Sequence, residues 1–188
     1  RAPRNNLSPN TERLLAKQSS SPFLTKATDY ELEYVTSNFN IDGFSTTFEI
    51  VSVQKIINEP LLNEYEERKN RMMIKNDGIV YEKELWHGTR TTNPASIYED
   101  PETGFDFRYS CGGMWGKGIY FAEKLSYSNG YVHRVGDVFQ VLFASVLICN
   151  EEERKPDCMI IKPKVGYDTI VGTQPSIGGT SKIYIIYE

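Results

Sequence analysis

Residues 139–148, FQVLFASVLI, form a nearly continuous apolar run with several β-branched members. Such a run suits a strand covered on both faces, and so predicts a central strand with layers above and below it. Other segments fall into place around it. FEIVSVQKI (residues 48–56) alternates like a half-buried strand. KELWHGT and IYFA read as short strands, and KIYIIYE closes the chain as another. Between them, NEPLLNEYEERKNRMM has a helical pattern. There Asn58 serves as cap, Pro60 sits in the first turn, and Leu61, Leu62, Tyr65, Met72 and Met73 lie roughly on one face. EKLSYSNGY can form a second, shorter helix. Strands outnumber helices and enclose them, so the fold class is mixed α+β.

The 188 residues are enough for one compact domain with a sizeable core. Residues 1–28 are rich in Ser, Asn, Pro and basic side chains, and read as a flexible N-terminal arm or linker. Within them TERLLAK could make one or two helical turns, without a partner face of its own. The domain proper is expected over residues 29–188. A net charge of −4 argues against a nucleic-acid surface. No apolar run is long enough to cross a membrane, and no N-terminal signal pattern is visible. Cys111, Cys149 and Cys158 lack CxxC spacing, and with only His87 and His133 beside them no metal site is expected. Reduced thiols in an intracellular protein, cytoplasmic or nuclear, are the expectation.

The run GGMWGKGIYFA invites a phosphate-loop reading, and fails it twice. Lys117 is followed by Gly118 where Ser or Thr is needed, and IYFA favours a strand where a helix must begin. What remains is a glycine-dense turn feeding a strand: either a ligand-free bulge or hairpin, or a place where backbone approaches something flat. Ser128 and Tyr131, three residues apart, would share a helix face. A hydroxyl beside an aromatic ring suits a flat ligand bearing an amide, one group bonding the amide and the other stacking. His87, followed at once by Gly88, adds an imidazole and an unobstructed backbone, although a histidine at a strand end commonly serves structure alone.

LWHGTRTTN, GGMWGKGIYFAEKLSYSNGY and SKIYIIYE together resemble the catalytic domain of poly(ADP-ribose) polymerases, the diphtheria-toxin-like ADP-ribosyltransferases. The resemblance spans roughly residues 48–188. It implies the ADP-ribosyltransferase fold: two small packed, mostly antiparallel sheets forming an NAD cleft, with flanking helices. NAD would be a substrate, and no metal would take part. His87 would bond a ribose hydroxyl of the adenosine half. Gly88 would grip the nicotinamide carboxamide through its backbone, with Thr89 next to it among the NAD-binding positions. Ser128 would bond the same carboxamide, Tyr131 would stack on the ring, and Tyr120 would form the opposite wall. SIYEDPETGFDFRYSCG (residues 96–112) would fold over the site as a semi-ordered lid.

The sequence departs from the family pattern in two places. The third position of the catalytic triad, glutamate in polymer-forming members, is Ile183. Glu188 lies five residues along and, by strand alternation, on the opposite face. A His-Tyr-Ile set implies transfer of a single ADP-ribose to protein acceptors, the chain itself being one candidate. An inactive NAD or ADP-ribose-binding module and a polymerase using another acid are the rival readings. The family's last strand, often like AYPEYLI, is expected to be missing after residue 188. Oligomeric state is left open.

Overall fold

The computed structural model describes residues 7–40 and 48–187. The first half of the chain gives α1 (Pro9–Ser19), β1 (Leu24–Lys26), α2 (Asp29–Asn40), β2 (Gln54–Ile56) and α3 (Glu59–Lys75). Then follow β3 (Glu82–His87), α4 (Ala95–Tyr98), β4 (Ile119–Ala122) and α5 (Leu125–Ser128). A tight 3₁₀ turn, Asn129–Tyr131, continues α5. The chain continues through β5 (His133–Val135), β6 (Val138–Gln140) and β7 (Leu142–Leu147). It ends in β8 (Glu151–Glu153), β9 (Thr169–Ser176) and β10 (Gly179–Ile186). The class is α+β, as expected, but the strands are divided unevenly. Six of them form one sheet in the order β7-β3-β4-β10-β9-β8, and β1–β2 and β5–β6 are two-stranded ribbons. The β8–β9 pair is parallel; the other pairs are antiparallel.

The central, fully covered strand of the sheet is β10, and the 139–148 run is not central. Its alternation sends Ile183 and Ile185 toward Trp115, Ala122, Ile160 and Ile170, joined by Tyr187 just beyond the strand. Tyr184 turns to the opposite face with Leu85, Ile119, Phe121, Val146 and Val171. The 139–148 run breaks at Val141 and contributes β7, which is an edge strand. It is apolar because layers cover both its faces. Ala144 and Val146 meet the central cluster, while Val141 and Phe143 pack with Trp86, Leu125, Phe39, Phe48 and Ile50. Apolar composition reports covered faces and says nothing of how many strands lie alongside, so the centre was misplaced. Similarly, only the end of the 48–56 segment is a strand; Phe48 and Ile50 serve as packing groups.

α3 begins as its sequence predicts, with Asn58 Oδ1 accepting from the Leu61 N–H at 3.3 Å. Leu62 departs from the expected face and is 57% exposed, because Leu61, Tyr65 and Met72 hold the inward stripe. Residues 8–28 differ more. Ser8 caps an eleven-residue α1 and, with buried Thr11, donates to Asp137 at 2.7 and 3.1 Å. β1 pairs with β2 along three residues. The helix without a partner face therefore has one, and its cap signal, Ser8-Pro9 with Glu12 in the first turn, stood in the sequence. Among the described residues no helix is long and apolar enough to cross a membrane.

Candidate active site

Trp86 pairs with Ala122 across β3 and β4. Side-chain alternation then sets His87 on one face of the sheet and Tyr120 on the other. The rings agree: His87 lies 5.0 Å from Phe105 and 5.2 Å from Phe121 between centroids, whereas Tyr120 packs with the Ile183 cluster. One contact joins the two positions. His87 Nδ1 is 2.8 Å from the Tyr120 carbonyl. A carbonyl only accepts, so Nδ1 carries the proton and neutral imidazole keeps a lone pair on Nε2. Burial holds the imidazole below its ordinary pKa, opposed by the bond to that carbonyl. A neutral His87 is thus a hydrogen-bond acceptor at Nε2.

Gly88 follows, packed against the backbone of Tyr131. A Cβ there would lie 2.4 Å from the Tyr131 carbonyl oxygen, closer than atoms can come. That carbonyl accepts the Arg90 N–H at 2.7 Å. Arg90 has a left-handed backbone, φ 52°. Its carbonyl accepts from His133 Nδ1 at 2.9 Å, and its guanidinium lies 4.5 Å from the centroid of the Tyr131 ring. Tyr127 stands beside Tyr131 at 5.6 Å, and burial followed by a hydrogen bond to Tyr131 raises its phenol pKa. Ser128 is buried, and its hydroxyl donates to the Trp86 carbonyl at 3.3 Å. Thr89 spends its hydroxyl on the Thr92 carbonyl within its own turn, at 2.6 Å.

The glycine turn serves Tyr120. Gly113 and Gly116 exchange backbone hydrogen bonds of 2.8 and 3.1 Å. The Tyr120 hydroxyl sits across this turn, accepting from the Trp115 N–H at 2.9 Å and donating to the Gly116 carbonyl at 2.8 Å. A Cβ at Gly113 would strike the Tyr120 ring, and one at Gly116 would overlap the Ile160 carbonyl. Trp115 is fully buried, its indole N–H donating to the Arg154 carbonyl at 2.8 Å and its ring lying on Gly172. The close approaches these glycines allow are to protein atoms.

Ile183 is fully buried, opposite Ala122 in β4 and Gly172 in β9. Its surroundings are Trp115, Ile160, Ile170, Ile185 and Tyr187, with Tyr120 and Tyr127 at the margin. Glu123, near in sequence to Tyr120, is committed on the other face. It accepts from Tyr184 at 2.8 Å and from Lys83 at 3.0 Å. Glu188 lies outside the described residues. The loop over residues 96–112 is tied at its base, where buried Asn58 donates to the Tyr98 and Asp100 carbonyls at 3.0 and 3.2 Å. Its Phe105 closes over His87.

Gly88, Ser128, Tyr131 and the His87 main chain are thereby brought together at the end of β3, with Tyr120 and Ile183 on the sheet face beside them. Reasoning from the sequence missed Arg90, Phe105, Trp115 and Tyr127. Of these, Arg90 and Tyr127 each stand one residue from a named position, Phe105 lies inside the 96–112 segment and Trp115 inside the GGMWGKG run. Among the described residues no three His, Cys, Asp or Glu side chains are grouped to hold a metal ion.

Residues 31–185 match the model of the poly(ADP-ribose) polymerase catalytic domain. A probable poly [ADP-ribose] polymerase of Dictyostelium discoideum is 34% identical over 132 residues, covering 67% of this chain and 39% of that protein. Poly [ADP-ribose] polymerase 1 of Xenopus laevis is 32% identical over 135 residues, covering 66% of this chain and 12% of the relative. The human protein mono-ADP-ribosyltransferase PARP14 is 34% identical over 102 residues, 53% of this chain and 5% of the relative. The chain thus spans well under half the length of these relatives.

Proposed function

Because the chain belongs to the poly(ADP-ribose) polymerase catalytic-domain family, we propose that residues 29–188 transfer a single ADP-ribose from NAD to a protein side chain, releasing nicotinamide. The relatives bear both polymerase and mono-transferase names, so product length rests on this chain's own residues. The observation that carries the reading is Ile183. It is fully buried in apolar company at the position where the family pattern places an acid.

In this reading nicotinamide stacks on Tyr131, with Tyr120 as the opposite wall. Its carboxamide meets the Gly88 main chain and the Ser128 hydroxyl, which lies at the Trp86 carbonyl and can turn toward a ligand. Nε2 of His87 accepts from a ribose hydroxyl, and Thr89 shapes the turn beside it. The ribose C1′–nicotinamide bond breaks with oxocarbenium character, as in glycoside cleavage, and its electron pair leaves with nicotinamide. An acceptor carboxylate, already nucleophilic, forms the new bond to C1′. Lengthening a chain instead requires a ribose hydroxyl to lose its proton to a base, and Ile183 cannot accept one. NAD as the donor and the free thiols at Cys111, Cys149 and Cys158 fit an intracellular setting.

The test is incubation with NAD labelled in either half. Nicotinamide released in step with adenine label retained on protein supports the transfer. NAD bound without release of nicotinamide would make the chain a binding module.

A further inference from the structure

The best-built feature outside the expected site residues is Arg90. Its backbone is held at φ 52° between two hydrogen bonds, N–H to the Tyr131 carbonyl and carbonyl from His133. Tyr131 therefore fixes Arg90 through its own main chain, and Arg90 returns its guanidinium to the ring of the same residue, 4.5 Å from the centroid. Among the described residues no carboxylate forms an ion pair with it. A non-glycine residue in the left-handed region is strained unless its surroundings over-determine it, and such strain gathers at working sites.

We propose that Arg90 is a further residue of the transfer site, one that makes the Tyr131 platform favour neutral nicotinamide over the cationic pyridinium of intact NAD. This inference rests on nicotinamide stacking on Tyr131. With the guanidinium on one face of the ring, the ligand takes the other. The ring's negative face ordinarily attracts a cation. A fixed positive charge behind the ring opposes that attraction, and acts directly on a cation stacked in front. As the C1′–N1 bond breaks, its electron pair passes to N1 and the nicotinamide ring becomes neutral, while positive charge moves to the ribose. A charge behind the platform thus raises bound NAD relative to the transition state, which is the differential interaction that increases turnover. The stack puts the two charges about 8 Å apart, where partly screened repulsion is worth on the order of tenfold in binding. Arg90 is exposed, so a far larger factor is not expected.

The probes are nicotinamide and 1-methylnicotinamide, which share shape and carboxamide but differ in charge. Binding to the full chain is measured by calorimetry for wild type, Arg90→Gln and Arg90→Lys. Wild type should prefer neutral nicotinamide, Arg90→Gln should shrink that preference about tenfold, and Arg90→Lys should keep most of it. In NAD turnover Arg90→Gln should lower kcat without raising KM. An unchanged preference in Arg90→Gln, with nicotinamide still bound, would overturn the role of Arg90 and leave the transferase reading intact. Failure of wild type to bind nicotinamide at all would overturn both. A structural role alone would weaken the two probes equally.

Discussion

Replacing Ile183 by glutamate places a carboxyl where the side chain is fully buried among Trp115, Ile160, Ile170, Ile185 and Tyr187. The glutamate stem fills much of the isoleucine volume, so the loss is chiefly of apolar burial, about 2 kcal/mol. A neutral carboxyl left without partners adds about 1–3 kcal/mol. Both apply at any pH; the charge adds a pH-dependent part. Burial raises the carboxyl pKa in the folded state above its unfolded value of about 4.3. The unfolded chain then ionises first, so stability falls as pH rises above that value, by about 1.4 kcal/mol per pH unit until the folded pKa is reached. Near neutrality the total is comparable to the whole stability of an ordinary domain, about 5–15 kcal/mol. Denaturant titrations of wild type, Ile183→Glu and Ile183→Gln at pH 5 and pH 7 test this. The glutamine variant should lose stability equally at both; the glutamate variant should lose much more at pH 7. If Ile183→Glu were as stable as the wild type at pH 7, the position would be open to solvent, and the apolar burial assigned to Ile183 would be refuted.

Further outcomes follow from the same geometry. Gly88→Ala forces a methyl onto the Tyr131 carbonyl, and should cost about 1–3 kcal/mol of stability with a loss of nicotinamide affinity, read by calorimetry. Tyr120→Phe unpairs the Trp115 N–H, while the Gly116 carbonyl keeps its bond from the Gly113 N–H; it should cost about 1–3 kcal/mol and speed hydrogen exchange at the Trp115 amide. Burial depresses the pKa of His87 in the folded state, so the unfolded chain takes up its proton first as pH falls. The stability that His87 contributes is therefore present above the unfolded value of about 6.5 and lost below it. His87→Gln should flatten that part of the profile, and nitrogen NMR of the wild type should show the Nδ1-protonated, neutral ring at pH 7.

Several parts of this molecule were legible in its sequence for physical reasons. Asn58 with Pro60 fixed the start of α3, and the motifs around His87, Tyr120 and Ser128 named residues that the structure joins by hydrogen bonds around β3 and β4. The sheet order was not legible. Residues 139–148 are apolar because α2 and the segment near Phe48 cover β7, a tertiary fact that leaves no periodic mark on the strand itself. Nor did the glycines of GGMWGKG declare their neighbours. Gly113 and Gly116 make room for Tyr120 and for the Ile160 carbonyl, a residue more than forty positions away. Arg90 escaped notice because its importance lies in a backbone angle and in a ring reached only through the turn at Tyr131.

The central claim is that one ADP-ribose is added and no more. Protein modified with excess NAD, digested with a phosphodiesterase, reports this directly. The account predicts that only the nucleotide from terminal units is released, with intact mass showing discrete single additions per modified residue. Internal chain units among the products would contradict it.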